Sequence, residues 1–207
     1  PSLLDVYNTE NKLYLVFEYC DMDLHVFLQK NTFVAPAVVQ AFMRQILEAL
    51  AFMHAHRILH RDIKPSNILV TGTTAKLADF GLARPIGIPV KSYTPQVVTI
   101  WYRAPELILR APNYTSAIDV WALGAVFAEM VLRKPIFKGD SDADQMHRIV
   151  RAVGFPPPEE VSRLSYAAEF AAFDWQPGIP RKGELELRAR ALGPVGIDLL
   201  TRMVDLN

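Results

Sequence analysis

The chain has 207 residues, of which 51% are hydrophobic and 21% are charged, a composition that supports a sizeable core and excludes a largely disordered protein. Its 22 basic and 22 acidic side chains cancel, so the overall positive charge typical of direct nucleic-acid binders is missing. The single cysteine, Cys20, excludes an intrachain disulfide and fits a reducing intracellular compartment. No apolar run is long enough to cross a bilayer, so we expect no membrane partner.

The first half of the chain combines short strands with one long helix. Residues 12–19 are β-branched, aromatic and aliphatic, which predicts a buried strand. Residues 36–54 repeat apolar side chains at steps of three and four after Pro36, which predicts an amphipathic helix. Residues 68–70 and 75–77 flank a Thr-Gly-Thr turn and predict a β-hairpin.

Helices dominate the rest of the chain. Residues 117–131 are apolar around most of the helix circumference, so this helix should be buried. A helix over residues 141–153 begins with a cap-like pattern at Ser141, and another helix over residues 195–204 closes the chain. The pattern predicts an α+β protein whose later part is mainly helical.

Two polar motifs flank the predicted hairpin. The sequence HRDIKPSN at residues 60–67 precedes it, and DFG at residues 79–81 follows it. In order and spacing the two motifs match the catalytic loop and the metal-binding motif of protein kinases. The chain therefore resembles the eukaryotic protein kinases, and its later segments resemble the cyclin-dependent branch.

The resemblance implies roles for five residues. Asp62 would orient the substrate hydroxyl and accept its proton, and Lys64 would neutralise the γ-phosphate of ATP. Asn67 and Asp79 would hold Mg²⁺, which prefers hard oxygen ligands. Asp119 would be structural and accept hydrogen bonds from the backbone of the catalytic loop. Ordinary turn residues are the alternative for isolated Asp and Asn, but the spacing of two motifs argues against it.

The resemblance also implies an adenine site at the end of the first strand. Main-chain groups of Glu18 and Cys20 would bind adenine, Asp23 would reach the ribose, and Leu69 would form the floor under the purine. Phe17 would be the gatekeeper beside them. For Phe17 and Leu69 taken alone, core packing is the simpler interpretation.

The sequence WYRAPE at residues 101–106 matches the end of the kinase activation segment. Within that segment, Thr94 matches the threonine that cyclin-dependent kinases carry phosphorylated by an upstream activating kinase. Arg61 and Arg84 match two arginines that clamp this phosphate, and surface charge is the alternative interpretation for both. The Pro95 that follows departs from the cell-cycle members of the family.

Three residues match substrate-pocket positions of the family. Thr99 resembles the threonine that bridges the catalytic aspartate and lysine in Ser/Thr kinases. Val98 and Arg103 match positions that favour proline directly after the phosphoacceptor. The resemblance therefore implies Ser/Thr-Pro sites as substrates, with a core valine and a surface arginine as the alternative interpretation.

The resemblance describes residues 1–207 as a partial kinase domain. Residues 1–23 would be the end of the small lobe and the hinge, and residues 24–207 the mostly helical large lobe. The Gly-rich loop, the strand lysine and its partner glutamate have no match, so we expect most of the small lobe to be missing and the chain alone to be inactive. A cyclin-like regulatory subunit is the implied partner, with a nuclear or cytoplasmic role in cell-cycle or transcription control.

Two other functions remain open from the sequence. A pseudokinase-like scaffold would bind partners without catalysis, although the intact Asp62, Asn67 and Asp79 argue against it. A mitogen-activated-type kinase would share the catalytic loop but carry Thr-x-Tyr in the activation segment, where this chain has Tyr93 and Thr94.

Overall fold

The computed structural model describes residues 1–85 and 99–206. The strands are β1 (Leu3–Asn8), β2 (Leu13–Phe17), β3 (Met22–Asp23), β4 (Ile58–Leu59), β5 (Ile68–Thr71), β6 (Thr74–Leu77) and β7 (Arg84–Pro85). The helices are α1 (Leu24–Lys30), α2 (Pro36–Ala55), α3 (Pro105–Ile108), α4 (Ala117–Leu132), α5 (Asp142–Val153), α6 (Pro158–Val161), α7 (Ala167–Ala172), α8 (Leu185–Arg188) and α9 (Gly193–Met203). Small sheets and many helices make this an α+β fold, as the sequence predicts.

Strands β1 and β2 form an antiparallel hairpin in which Val6 pairs with Leu15 and Tyr7 with Tyr14. Every residue of both strands is exposed. The prediction of a strand within residues 12–19 is correct, but the prediction that it is buried is wrong. A two-stranded sheet is a single layer, and within residues 1–85 and 99–206 no second layer covers it, so its apolar side chains meet solvent on both faces.

Helix α2 supplies one wall of the main core and confirms the amphipathic pattern. Pro36 occupies the first turn, where its missing N–H costs no helical hydrogen bond. The side chains at the predicted spacing are buried: Val39, Phe42, Ile46, Leu50 and Met53. The ring of Phe42 meets the edge of Phe27 from α1 at 5.6 Å between centroids, so the two helices share this core.

The predicted hairpin is β5–β6, and β3 pairs with β5 to give the strand order β3-β5-β6. Its turn includes Gly72 at φ +58°, a conformation that glycine adopts without steric cost. Gln45 of α2 fixes the hairpin, because its Oε1 accepts from Ala75 N at 2.6 Å and its Nε2 donates to Thr73 O at 3.1 Å. The turn end of the hairpin is thereby held against α2.

Helix α4 is the buried centre of the helical part, as its apolar circumference predicts. Its residues from Ile118 to Met130 are buried except Val120. A Cβ on Gly124 would stand 2.9 Å from Met203 Cβ, so this glycine allows α9 to cross closely. At α5, Ser141 Oγ accepts from Asp144 N at 3.1 Å, which confirms the predicted cap. Among the described helices, none is both long and apolar enough to span a membrane.

Candidate active site

Asp119 of α4 holds the backbone of the loop that follows α2 and β4. Only 1% of Asp119 is exposed, and its carboxylate accepts from His60 N at 2.9 Å and Arg61 N at 2.8 Å. His54 Nε2 lies 2.9 Å from the same carboxylate. Arg61 takes a left-handed φ of 69°, so the loop turns sharply at this point. The structure confirms the structural role expected for Asp119.

Three of the predicted site residues meet in this loop: Asp62, Lys64 and Asn67. Lys64 Nζ lies 2.7 Å from Asp62 Oδ2, and Asn67 Nδ2 donates to the same oxygen at 2.8 Å. Asn67 Nδ2 also donates to the main-chain oxygen of Asp62 at 2.8 Å. Two donors thus fix the carboxylate of Asp62 while it stays partly exposed, which suits a group that receives a proton from a bound hydroxyl.

His60 is a positioning residue of the site that the sequence reasoning left without a role. Its imidazole is fully buried, with Nε2 3.0 Å from Ala78 O and Nδ1 3.4 Å from Asp62 N. Burial lowers its pKa, and a neutral ring that donates from Nε2 and accepts at Nδ1 satisfies both contacts. His60 therefore ties Asp62 to the residue that precedes Asp79.

Asp79 follows the last residue of β6 by two positions and lies next to the catalytic loop. Its φ of 62° is left-handed, and its Oδ1 accepts from Gly81 N at 3.3 Å. Ala78 N donates to Asn67 O at 2.9 Å, so the two predicted metal ligands stand on directly bonded backbone segments. The Asn67 amide nitrogen points to Asp62, which turns the amide oxygen away from it.

Asn67 and Asp79 together supply two oxygen donors, so a metal held by them would need further ligands from outside the protein. Within residues 1–85 and 99–206 no cluster of three or more His, Cys, Asp or Glu side chains could hold a metal. Mg²⁺ is usually bound through one or two protein oxygens, with waters and substrate phosphates completing the coordination. Asn67 and Asp79 offer one amide oxygen and one exposed carboxylate, which is such a pair.

The predicted adenine residues lie around the β2–β3 connection. Asp23 caps α1, since its Oδ1 accepts from Val26 N at 2.8 Å, and it pairs across the sheet with Leu69. Cys20 is half-buried. The Glu18 side chain pairs with Lys76 at 2.6 Å, and this bond lowers the pKa of Glu18 to about 2. The main chain of Glu18 is the part predicted to meet adenine, and that contact stays a prediction.

A small pocket brings together Asp62 and two of the predicted substrate residues, Thr99 and Arg103. Its lining is Arg61, Asp62, Ile63, Thr99, Tyr102, Arg103, Leu107, Ile118 and Ala122. Val98, the third predicted residue, lies outside the described residues, as does the predicted phosphosite Thr94. The pocket places Asp62 beside residues from the end of the activation segment.

The two predicted clamp arginines lie near one another in the fold. Leu59 of β4 pairs with Arg84 of β7, and Arg61 follows β4 by two residues. Arg61 Nη1 donates to Leu82 O at 3.5 Å, and its guanidinium lies 5.6 Å from the centre of the Tyr114 ring. Arg84 Nη1 donates to Ala83 O at 2.9 Å. The sheet thus brings both arginines to the start of the activation segment.

The end of the activation segment is held by a buried contact between Tyr102 and Glu129 that the sequence reasoning did not identify. Tyr102 donates its hydroxyl to Glu129 Oε2 of α4 at 2.7 Å, and both side chains are buried. Burial raises the pKa of Glu129 and of Tyr102 above their ordinary values. Glu106 is also buried, and burial raises its pKa. One sequence signal could have pointed to Glu129: it is an acidic residue among the apolar residues of α4.

Comparison with known protein families identifies the family of the chain. The family model described as "Protein kinase domain" matches residues 2–176. The matched region runs from β1 past α7 and includes the catalytic loop, the DFG motif and the end of the activation segment. The match thus covers the residues from which the site was built.

Proposed function

The chain belongs to the protein kinase domain family, and from that premise we propose that it is a serine/threonine kinase of the cyclin-dependent type. Membership of the family means a protein kinase that uses ATP, a divalent metal and protein substrates. Our proposal adds the finer points: Mg²⁺, Ser/Thr-Pro sites and activation by a cyclin-like subunit. The observation that carries the phosphate-transfer chemistry is the catalytic loop, in which Asp62 is held by Lys64 and Asn67. The finer points rest on the family resemblance.

Asp62 is proposed to accept the proton of the substrate hydroxyl as that oxygen bonds to the γ-phosphorus of ATP. The bond from that phosphorus to the bridging oxygen of ADP breaks in the same transfer. Because Lys64 Nζ and Asn67 Nδ2 both bind Asp62 Oδ2, the carboxylate is oriented before substrate arrives. Lys64 also supplies positive charge where the transferring phosphoryl group gathers negative charge.

Asn67 and Asp79 are the proposed holders of Mg²⁺. The metal would supply charge neutralisation at the phosphates, and the chain's task is to present two oxygens at one place. The backbone bond from Ala78 to Asn67 and the buried His60 keep the two loops in register. The adenine would lie at the main chain of Glu18 and Cys20, beside Asp23 and Leu69.

Ser/Thr specificity is proposed from Thr99 and proline direction from Arg103 and Val98. Support comes from the pocket in which Thr99 and Arg103 lie with Asp62. The preference for an aliphatic hydroxyl over a phenol rests on the resemblance of Thr99 to the threonine of Ser/Thr kinases. The preference for proline rests on the family resemblance.

Activation is proposed to require phosphorylation of Thr94 by an upstream kinase and binding of a cyclin-like subunit. Phosphate would add about −1.5 to −2 charges, which Arg61 and Arg84 are suited to neutralise. Their nearness through β4 and β7 supports this clamp. We further propose an intracellular role, in the nucleus or cytoplasm, in cell-cycle or transcription control.

A peptide-transfer assay tests the proposal. The intact protein is the full-length kinase that includes the small lobe, and it is assayed with and without a cyclin subunit. It receives labelled ATP and one of three peptides that differ only in the acceptor pair: Ser-Pro, Ser-Ala or Tyr-Pro. We expect cyclin-dependent labelling of the Ser-Pro peptide above the other two. Labelling of Tyr-Pro would contradict Ser/Thr specificity, and labelling without cyclin would favour another kinase branch. Absence of transfer with cyclin bound and Thr94 phosphorylated would favour the scaffold.

A further inference from the structure

The stretch Thr99–Arg103, which lines one wall of the candidate substrate pocket, is fixed by a buried glutamine from a different helix. Gln145 lies in the first turns of α5 and is fully buried. Its Nε2 donates to Trp101 O at 3.2 Å, and its Oε1 accepts from Gly139 N at 2.7 Å. A single side chain thus joins the end of the activation segment to the loop between α4 and α5.

The ring of Trp101 closes the same link from the other side. Its Nε1 donates to Gly139 O at 2.9 Å, while Lys138 Nζ lies 5.0 Å from the centre of the indole ring. Gly139 therefore donates to Gln145 and accepts from Trp101. A Cβ on Gly139 would stand 2.5 Å from Gln145 Cα, so only glycine allows this approach.

The contacts among Trp101, Gly139 and Gln145 lie directly beside the pocket residues along the chain. Trp101 stands between Thr99 and the two pocket residues Tyr102 and Arg103, and Arg103 N donates to Ile100 O at 3.0 Å across this tight turn. Neither Trp101 nor Gln145 lines the pocket. Displacement of the Trp101 carbonyl would therefore move the wall without removing any group that faces the pocket.

We propose that Gln145 is a positioning residue for substrate recognition, which holds the Thr99–Arg103 wall at the distance from Asp62 that a Ser-Pro peptide requires. This inference rests on the proposed function, since it concerns the substrate pocket of that same site. Gln145 would touch neither ATP nor peptide. Its effect should fall on peptide affinity and leave the nucleotide site unchanged.

The test is Gln145→Glu in the intact protein. The carboxylate keeps an acceptor for Gly139 N–H, but it sets an oxygen against Trp101 O in a buried place, so the bond to the pocket wall is replaced by a repulsive contact. We expect the Kd of a labelled Ser-Pro peptide, measured by fluorescence anisotropy, to rise about five- to tenfold, the effect of one lost hydrogen bond. The Kd for ATP should change less than about twofold.

Two further variants keep the test decisive. Gln145→Met has a similar length without charge, removes both bonds, and replaces the glutamate variant if that one does not fold. Arg148→Gln, on the exposed face of the same helix where Arg148 pairs with Asp144, is the matched control and should leave both affinities unchanged. A thermal unfolding curve for each variant confirms that it is folded at the temperature of the binding measurement.

The outcomes separate this inference from the proposed function, because peptide binding needs no phosphate transfer. Weaker peptide binding in the Gln145 variants with unchanged ATP binding supports the positioning role, even if transfer assays overturn the proposed reaction. Unchanged peptide affinity in the Gln145 variants, or an equal loss of affinity for peptide and ATP, overturns the positioning role. Neither result contradicts the proposed kinase activity. A wild-type protein that binds no peptide overturns it as well.

Discussion

Replacement of Asp119 by alanine should disconnect the catalytic loop from the helical core. The carboxylate accepts from His60 N and Arg61 N at 2.9 and 2.8 Å and lies 2.9 Å from His54 Nε2. Alanine leaves two backbone N–H groups without an acceptor in a site where the aspartate is 1% exposed. Removing one partner of such a buried polar cluster costs about 3–5 kcal/mol of the free energy of unfolding.

Urea and thermal unfolding measure this cost. For a protein of this size, about 3–5 kcal/mol corresponds to a drop in Tm on the order of 10 °C. Asp119→Asn keeps one acceptor oxygen and should lose roughly half as much. The matched control is Asp198→Asn on α9, where an exposed aspartate pairs with Arg202 and the loss should stay below about 1 kcal/mol.

A small effect would refute the reasoning. If Asp119→Ala lost less than about 1 kcal/mol, the three contacts would contribute no more than surface pairs, and the loop would be held by other groups. Loss of stability without loss of phosphate transfer would show that the loop keeps its catalytic geometry without this anchor. We expect both properties to fall together.

Three further perturbations have outcomes that the structure fixes. Tyr102→Phe removes the hydroxyl that Glu129 accepts in a buried place, so unfolding in urea should show a loss of about 1–3 kcal/mol. The pKa of Glu106 is raised by burial, so the stability it contributes is present below its ordinary pKa of 4.5 and is lost as pH rises through the raised value. Glu106→Gln should therefore show a smaller fall in the urea midpoint between pH 4.5 and pH 7 than the wild type. Arg84→Ala should lower the rate gained on phosphorylation of the activation segment about tenfold, measured by peptide transfer with and without an upstream kinase.

Each of these three has an outcome that would contradict it. Unchanged urea stability in Tyr102→Phe would mean that Glu129 finds a replacement donor at no cost. Parallel pH curves for the wild type and Glu106→Gln would remove burial of Glu106 as a source of pH dependence. Full activation of Arg84→Ala would mean that groups other than Arg84 bind the phosphate. The control for loss of one positive charge is Lys182→Ala, since Lys182 is an exposed residue of the later helical part.

Elements that depend on a short stretch of neighbouring residues could be predicted from the sequence. The spacing of Val39, Phe42 and Ile46 identified α2 to within one residue at its end, and Ser141 marked the start of α5. The catalytic loop and Asp79 were recognised because the two motifs and their spacing resemble those of protein kinases. The bonds of Lys64 and Asn67 to Asp62 were not predicted, although both residues lie within five positions of it.

Contacts between distant segments could not be predicted in this way. Tyr102 and Glu129 are 27 positions apart, and Gln145 and Trp101 are 44 positions apart, so no local pattern relates them. The exposure of β2 was missed for a related reason. An apolar strand indicates burial only when another layer covers it, and sequence periodicity does not say whether that layer is near.

The most direct test of the proposed function is transfer of the labelled γ-phosphate of ATP to a Ser-Pro peptide by the intact protein and its Asp62→Asn variant, both with a cyclin subunit bound. The amide keeps the size of the side chain and removes its ability to accept the proton. We expect transfer by the variant to fall about 10²- to 10⁴-fold while ATP still binds. Equal transfer by the two proteins would contradict the role of Asp62 and the proposed mechanism built on it.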